Sequence, residues 1–343
     1  MASSSPRGHA LRLALVGGDT LLGRELEEVL KSRGTGVVTI PYAASGEGNF
    51  SDQEGEAVYL EPLEGKAVRE DEAILVAGSR QGALKAYELA KAEGGRPLVI
   101  DCTGHLDHQV EARILAPLLG EHQIPASWLL VIAHPAASAL ALVLKRLQRY
   151  KPIVRTLAHI FEPASERGKH GASELHQQTA SLLGFKPLEK RVFDAQLSFN
   201  LLSRYGEEAP DKLSAVEARI EHHIATILSR EAGKSAIPMP SLRLIQAPVF
   251  HGYSISIWTE FETTVNAIEL GEALASAQIE VRGPNEEAPH NVGVASQSGL
   301  MAGDIRIDRN NSRAAWFWIV GDNLRLTADA AVDVLMELGA TKG

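Results

Sequence analysis

The chain has 343 residues, and 34 Lys and Arg against 43 Asp and Glu give a formal net charge of −9, so it is a poor match for nucleic acid or an anionic membrane surface. With 45% apolar and 22% charged residues it has the make-up of a globular protein, which excludes wholesale disorder; its length suits two domains of roughly 150 residues each. A single cysteine, Cys102, excludes an intramolecular disulfide and a cysteine-built zinc finger and fits a reducing cytoplasm.

Met1 to Ala10 is rich in Ser, Pro and Gly, lacks an apolar signal core and reads as a disordered tail. No apolar run approaches the ~20 residues of a membrane span. Leu11 to Val16 predicts a strand, followed by a glycine loop. Leu22, Leu26, Val29 and Leu30 then recur at helical spacing up to Gly34. Val37 to Ile40, Ala73 to Ala77, Leu98 to Cys102 and Leu129 to Ala133 predict further short strands. A helix over Ala83 to Ala92 stops at Gly94-Gly95. This alternation predicts an α/β fold, a doubly wound, Rossmann-like parallel sheet reaching to about residue 136.

Beyond it the pattern changes. Ala137 to Tyr150 is helical, with Leu140, Val143, Leu144 and Leu147 on one face. Longer strands are predicted at Ile153 to Phe161, Val192 to Phe199, Leu242 to Phe250 and Tyr253 to Thr263, with amphipathic helices over 172–183 and 213–228 between them. In Tyr253 to Thr263, Tyr253, Ile255, Ile257, Thr259, Phe261 and Thr263 share one face, and Ser254, Ser256, Trp258, Glu260 and Glu262 the other. A late strand around Trp316 to Val320 and a helix over about 327–338 complete an α+β domain. Its sheet has a second face that a partner subunit is expected to cover. Ser214-Ala-Val-Glu217 has the form of a capping box. Ser165 to Gly168 reads as a solvated turn.

The loop after the first strand, Gly17-x-x-Thr20-x-x-Gly23, would place backbone N–H groups and a helix dipole against a pyrophosphate. Its middle position normally needs glycine, and Thr20 puts a β-branched side chain there. The same glycines also serve a tight turn and close helix–strand packing, so the loop alone decides nothing. The second strand runs into Pro41 to Glu47 with neither the acidic nor the basic residue that tells NAD from NADP clearly placed. Ser45 is placed to meet a ribose or phosphate, and Glu47 would repel a 2′-phosphate.

The ordered segments Leu13–Glu25, Val99–Thr103, Ile132–Ser138, Ala247–Ser254, Gly303–Asp308 and Gly321–Arg325 together resemble the aspartate-semialdehyde dehydrogenase family along nearly the whole chain. The resemblance implies a dinucleotide-binding domain over 11–136 plus about 322–343 and a dimerisation domain over 137–321. It implies a homodimer, and NADP or NAD as a weakly held cofactor at Gly17, Thr20, Leu21, Leu22, Gly23, Ser45, Gly78 and Asn323. The family reduces an acyl phosphate through a cysteine thioester. That reaction requires a thiolate, an acid/base beside it and cations for the substrate's carboxylate and phosphate. Carried over residue by residue, the nucleophile position holds Ala137, the substrate-orienting Gln holds Glu162, the carboxylate-binding Arg holds Gln246 and the catalytic His holds Tyr253. The phosphate-binding Arg falls near Asp107, a reversal of charge. Glu217 and Arg219 stand near the family's substrate-contact helix positions, where Glu217 competes with its capping-box reading. The resemblance is therefore to non-catalytic paralogues. Two rivals stay open: an active oxidoreductase using relocated residues such as Tyr253 and His134, and an interaction partner that forms a heterodimer with a true dehydrogenase. His105, His108, His134, Glu162 and His251 are competent metal ligands, but twelve histidines make such spacings common by chance. Cys102, with no basic partner evident, reads as a small buried hydrophobe.

Overall fold

The computed structural model describes residues 12–45, 47–53, 56–65, 73–120, 124–230 and 236–340. The expected tail Met1 to Ala10, Leu11 and Gly46 lie outside the described residues. The chain divides into two compact units. One holds the chain up to Leu115, Gln123–Ile132 and the end of the last helix from Ala331; the other holds Ala116–His122 and Ala133–Ala330.

In the first unit, β1 (Arg12–Val16), β2 (Val38–Tyr42), β5 (Ala73–Val76), β6 (Leu98–Asp101), β7 (Ala112–Leu115) and β8 (Leu129–Ile132) form a six-stranded sheet in the order β2-β1-β5-β6-β8-β7. Every pairing in it is parallel. Leu13, Ala14, Leu15 and Val16 are all buried on both faces, as continuous apolar runs in a parallel sheet must be. Helices α1 (Leu21–Ser32) and α2 (Arg80–Ala92) each bury one stripe, Leu26, Val29 and Leu30 in α1 and Ala83, Ala86, Tyr87 and Ala90 in α2. Each buried aliphatic side chain contributes roughly 1.5–3 kcal/mol. Pro41 sits in β2, an edge strand, where its missing N–H breaks no ladder. A small hairpin, β3 (Asn49–Gln53) with β4 (Glu56–Leu60), has no counterpart in the sequence reading.

The second unit is built on a mixed sheet of β9 (Ile153–Glu162), β10 (Ser241–Gln246), β11 (Tyr253–Phe261), β12 (Ile279–Val281), β13 (Leu300–Asp308) and β14 (Asn311–Gly321), in the order β10-β9-β11-β14-β13-β12. Helices α3 (Pro135–Tyr150), α4 (Gly168–Leu183), α5 (Leu213–Leu228) and α6 (Ala267–Leu274) belong to this unit, and α3 packs on both α5 and α6. Helix α7 spans Asn323–Ala340. The alternation read in β11 holds in the middle of the strand: Tyr253, Ile255, Ile257, Thr259 and Phe261 are buried and Ser256 and Trp258 on the other face are half-buried, but Ser254 and Glu260, also on that face, are buried as well. Leu157 (45% exposed), Trp316 (39%) and Trp258 stand together on that other face, with β9, β11 and β14 adjacent. Trp258 and Trp316 both donate their indole N–H to Asp308 Oδ2, at 2.8 and 3.1 Å.

Two sequence expectations fail here, and the strand expected over Leu242 to Phe250 stops at Gln246. Val192 to Phe199 is a loop, not a strand. Its backbone donors go to side chains of α4: Val192 N and Phe193 N donate to the Glu174 carboxylate, and Leu197 N and Ser198 N to Gln178 Oε1. Glu174 and Gln178 are buried, so they take the place of a β-ladder. The capping box also does not form. Helix α5 begins after Lys212 with no side-chain cap, Ser214 lies inside the first turn, and Glu217 accepts a hydrogen bond from Leu244 N of β10 at 2.6 Å. Tertiary pairing with the sheet edge outbids the local cap. Among the described residues no helix is long and apolar enough to cross a membrane.

Candidate functional site

The glycine loop lies in the first unit. Gly17 has φ +92, and a Cβ there would stand 2.6 Å from the Gly78 backbone. A Cβ on Gly23 would stand 2.1 Å from Gly17 O, and one on Gly78 2.4 Å from Ala44 O. These glycines are thus required for backbone-to-backbone packing whether or not a ligand binds. Thr20 is the N-cap of α1. Its hydroxyl accepts from Gly23 N at 2.9 Å and shares its proton between Gly17 O (2.8 Å) and Ala77 O (3.0 Å). The hydroxyl is turned into the loop, and the N–H groups of Leu21 and Leu22, at the start of the helix, have no acceptor within its ladder. The loop therefore offers a pyrophosphate main-chain donors only. Ser45 is occupied with Glu47, whose carboxylate accepts from Gln81.

Cys102, at the end of β6, is buried, and burial and the neighbouring Asp101 push its thiol well above the usual range. A thiol held protonated in this way is a poor nucleophile. Asp101 shapes the turn by accepting from Thr103 and Leu106 N.

The positions that the resemblance implies for the family's catalytic and carboxylate-binding residues lie in the second unit. Ala137 is in the first turn of α3 and fully buried. Glu162 ends β9, Gln246 ends β10 beside it in register, and Tyr253 opens β11. Two residues that the sequence reading did not place in the site, Arg167 and Tyr205, complete the cluster. Arg167 Nη2 pairs with Glu162 Oε1 at 2.6 Å, and Tyr205 donates to Gln246 Oε1 at 2.6 Å and lies 3.2 Å from Glu162 Oε1. Gln246 Nε2 donates to the backbone carbonyl of Glu162 at 2.8 Å. Arg167 is 12% exposed and Glu162 0%. Burial works against the guanidinium's charge, but Glu162 more than restores it and holds Arg167 firmly protonated. Burial raises the Tyr205 hydroxyl far above its usual range. Glu162 Oε2 is buried with no hydrogen-bond partner among the described residues. Arg167 and Glu166 come from Ser165 to Gly168, which is not the solvated turn the sequence predicts, because its charges find partners inside.

Beside this cluster, His134 caps α3: its Nδ1 accepts from Ala136 N at 3.3 Å, and its own N donates to His223 Nδ1 at 2.9 Å. Nδ1 being an acceptor, Nε2 carries the proton. Nε2 lies 3.4 Å from Tyr253 Oη and 3.9 Å from Glu166 Oε2. Burial lowers the His134 pKa well below its usual value, with His223, Arg219 and Arg167 adding to the effect. Tyr253 is raised by burial and then by Glu166. Glu166, 18% exposed, is pushed up to about 7 by burial and by Glu162, against hydrogen bonds from Asn323 and Tyr253. Asn323 has its amide fully engaged: it donates to Ser165 Oγ and Glu166 Oε1 and accepts from Gly252 N and Ser165. His223 is buried whereas its neighbour His222 is exposed, the opposite faces expected of adjacent helical residues. Among the described residues no group of three or more His, Cys, Asp or Glu is placed to hold a metal ion.

A family model described as the semialdehyde dehydrogenase dimerisation domain matches residues 145–326. The chain belongs to the semialdehyde dehydrogenase family. It is 31% identical to a USG-1 protein homolog of Pseudomonas aeruginosa over 259 residues, 73% of this chain and 74% of that protein. It is 30% identical to an aspartate-semialdehyde dehydrogenase of Rickettsia bellii over 200 residues, 57% of each chain. A solved structure of a probable aspartate-semialdehyde dehydrogenase from Pseudomonas aeruginosa superposes with a TM-score of 0.81 at 26% identity, covering 98% of this chain and 100% of that one. The parallel sheet and the mixed sheet described above are those of this dehydrogenase fold.

Proposed function

We propose that this chain is a non-catalytic member of the semialdehyde dehydrogenase family, a homodimeric cytoplasmic protein with a binding or regulatory role and weak dinucleotide affinity. The observation that carries the reading is the residue set at the family's reacting positions. Ala137 offers a methyl group where a thioester must form, and the lone thiol, Cys102, is held protonated. The other changes are chemically coupled to that one. Gln246 cannot hold a substrate carboxylate as an arginine does, and it is already bonded to Tyr205 and to the Glu162 backbone. Arg167, the cation nearest these positions, is committed to Glu162.

The rival reading, acid/base chemistry by Tyr253 and His134, gains little support. The single basic nitrogen of His134 is spent on the α3 cap, and Tyr253 holds its proton well above its ordinary range. NADP or NAD, where bound, would rest on the N–H groups of Leu21 and Leu22 and on Ser45, and would supply hydride chemistry. Asn323, with its amide saturated, has no group left for it. The dimer is assigned to the outer face of the mixed sheet around Leu157, Trp258 and Trp316, and the same face would serve a heterodimer with an active paralogue.

The test is direct. Purified full-length protein is incubated with aspartate semialdehyde, phosphate and NADP, and NADPH absorbance is followed. The expected result is no formation above the protein-free rate; turnover proportional to protein concentration overturns the proposal.

A further inference from the structure

A groove of about 480 Å³ opens at the edge of the mixed sheet, between β10, the first turn of α5 and the segment that precedes α5. Arg204, Lys212 and Arg243 line it, together with Ser203, Ser214 and the ring of Tyr205. None of Ala137, Glu162, Gln246 and Tyr253 lines it; Glu217, near the substrate-contact helix positions that the resemblance implies, does. Two carboxylates also line it, Glu207 and Glu217. Glu217 accepts from Leu244 N but keeps its charge, so the lining carries three cations against two carboxylates, a small net positive charge in a chain of net charge −9. Lys212 is held in place by donating to the backbone carbonyls of Gly206 and Glu207, at 3.3 and 2.5 Å. Arg204 and Arg243 are exposed and form no ion pair among the described residues.

Local electrostatics here oppose the global field. Two guanidiniums that form no ion pair among the described residues, in a groove also lined by two serines, match a ligand that carries paired acceptor oxygens, because each fork takes two oxygens of one carboxylate or phosphate. The volume is in the range of metabolite sites and leaves room for more than a lone ion. We propose that this groove binds a small anion with two or more negative charges, a dicarboxylate or a phosphate-bearing metabolite, held by Arg204 and Arg243 with Lys212 at the rim.

The site also has a line to the buried cluster. Tyr205 presents its ring to the groove, while its hydroxyl bonds Gln246 and lies beside Glu162. Occupation of the groove is thereby felt by the cluster through one side chain.

The test is isothermal titration calorimetry of the full chain at low ionic strength with two probes, inorganic pyrophosphate and succinate. The expected result is saturable binding of at least one probe at sub-millimolar concentration; which probe wins assigns the ligand to the phosphate or to the carboxylate class. Affinity should fall at least tenfold in Arg204→Ala/Arg243→Ala and be unchanged in Arg306→Ala, whose arginine lies on another strand and pairs with Asp304. Circular dichroism and the thermal midpoint confirm that the double variant folds, and Arg243→Lys, which keeps the charge and loses the fork, should fall between the two. No saturable binding of either probe, or equal affinity in the parent and the folded double variant, overturns the proposal. The dehydrogenase assay above is independent of this outcome.

Discussion

Glu166→Gln is the sharpest perturbation of the buried cluster, and its sign is unusual for a carboxylate. Most acidic groups in a fold are stabilised as anions and lose stability in acid. Glu166 is pushed up to about 7 from 4.5, so the folded protein binds its proton more tightly than the unfolded chain does. Its contribution is fully present below about pH 4.5, is lost as the pH rises through about 7, and is constant above that. At about 1.4 kcal/mol for each decade of pH between the two values, the loss amounts to about 3 kcal/mol. With Glu166 18% exposed and coupled to Glu162, a measured value of about 1–3 kcal/mol is expected. Glutamine copies the protonated carboxyl and still offers an oxygen to Asn323 Nδ2, which lies 2.9 Å from the carboxylate. Urea unfolding at pH 5 and pH 8 reads the effect. The variant should match the parent at pH 5, exceed it at pH 8, and show a flatter pH dependence between. A variant no more stable than the parent at pH 8 refutes the argument that burial, rather than its hydrogen bonds, governs this carboxyl.

Arg167→Met should be severe, at about 3–5 kcal/mol, because it strands the fully buried Glu162 without its ion pair; Glu162→Gln in the same chain should recover much of that loss, and thermal midpoints decide. Gln178→Ala removes the acceptor of Leu197 N and Ser198 N and should cost about 2–4 kcal/mol, with proteolysis first appearing in 192–199. Thr20→Gly removes the side-chain cap of α1 at a cost of only about a few tenths of a kcal/mol, because glycine is tolerated at an N-cap, and should tighten NADPH binding followed by tryptophan fluorescence if the β-branched side chain limits the pyrophosphate seat. Trp316→Glu should shift the protein from dimer to monomer in light scattering; an unchanged mass moves the dimer to another surface.

Much of the fold is legible in the sequence because burial writes it there. Leu13 to Val16 and Leu129 to Ile132 are apolar runs because both faces of a parallel sheet are covered, and β11 alternates because only one of its faces packs on the core. The helix at Leu213–Leu228 is read to the residue from its apolar stripe. Two of the failures share one cause, a polar side chain that serves a backbone far away in sequence. Glu174 and Gln178 convert Val192 to Phe199 from a strand into a loop, and Glu217 leaves its cap for Leu244 N. Periodicity carries no trace of such pairings. The candidate site was half visible. Ala137, Glu162, Gln246 and Tyr253 come from the resemblance, whereas Arg167, Tyr205 and Glu166 occupy segments that read as ordinary polar loops. The signal that marks them is charge density in a short stretch, Glu166 and Arg167 side by side, and it becomes informative only once burial is known.

The central claim is that no atom of this chain can carry an acyl group at the family's reacting position. Intact-protein mass spectrometry after incubation with aspartate semialdehyde and NADP, quenched in acid, tests it most directly. The account predicts the unmodified mass alone, for the parent and for Cys102→Ala alike. An acyl adduct, heavier than the protein by the substrate less two hydrogens, mapped to any residue and formed at the rate of NADPH production, would contradict it.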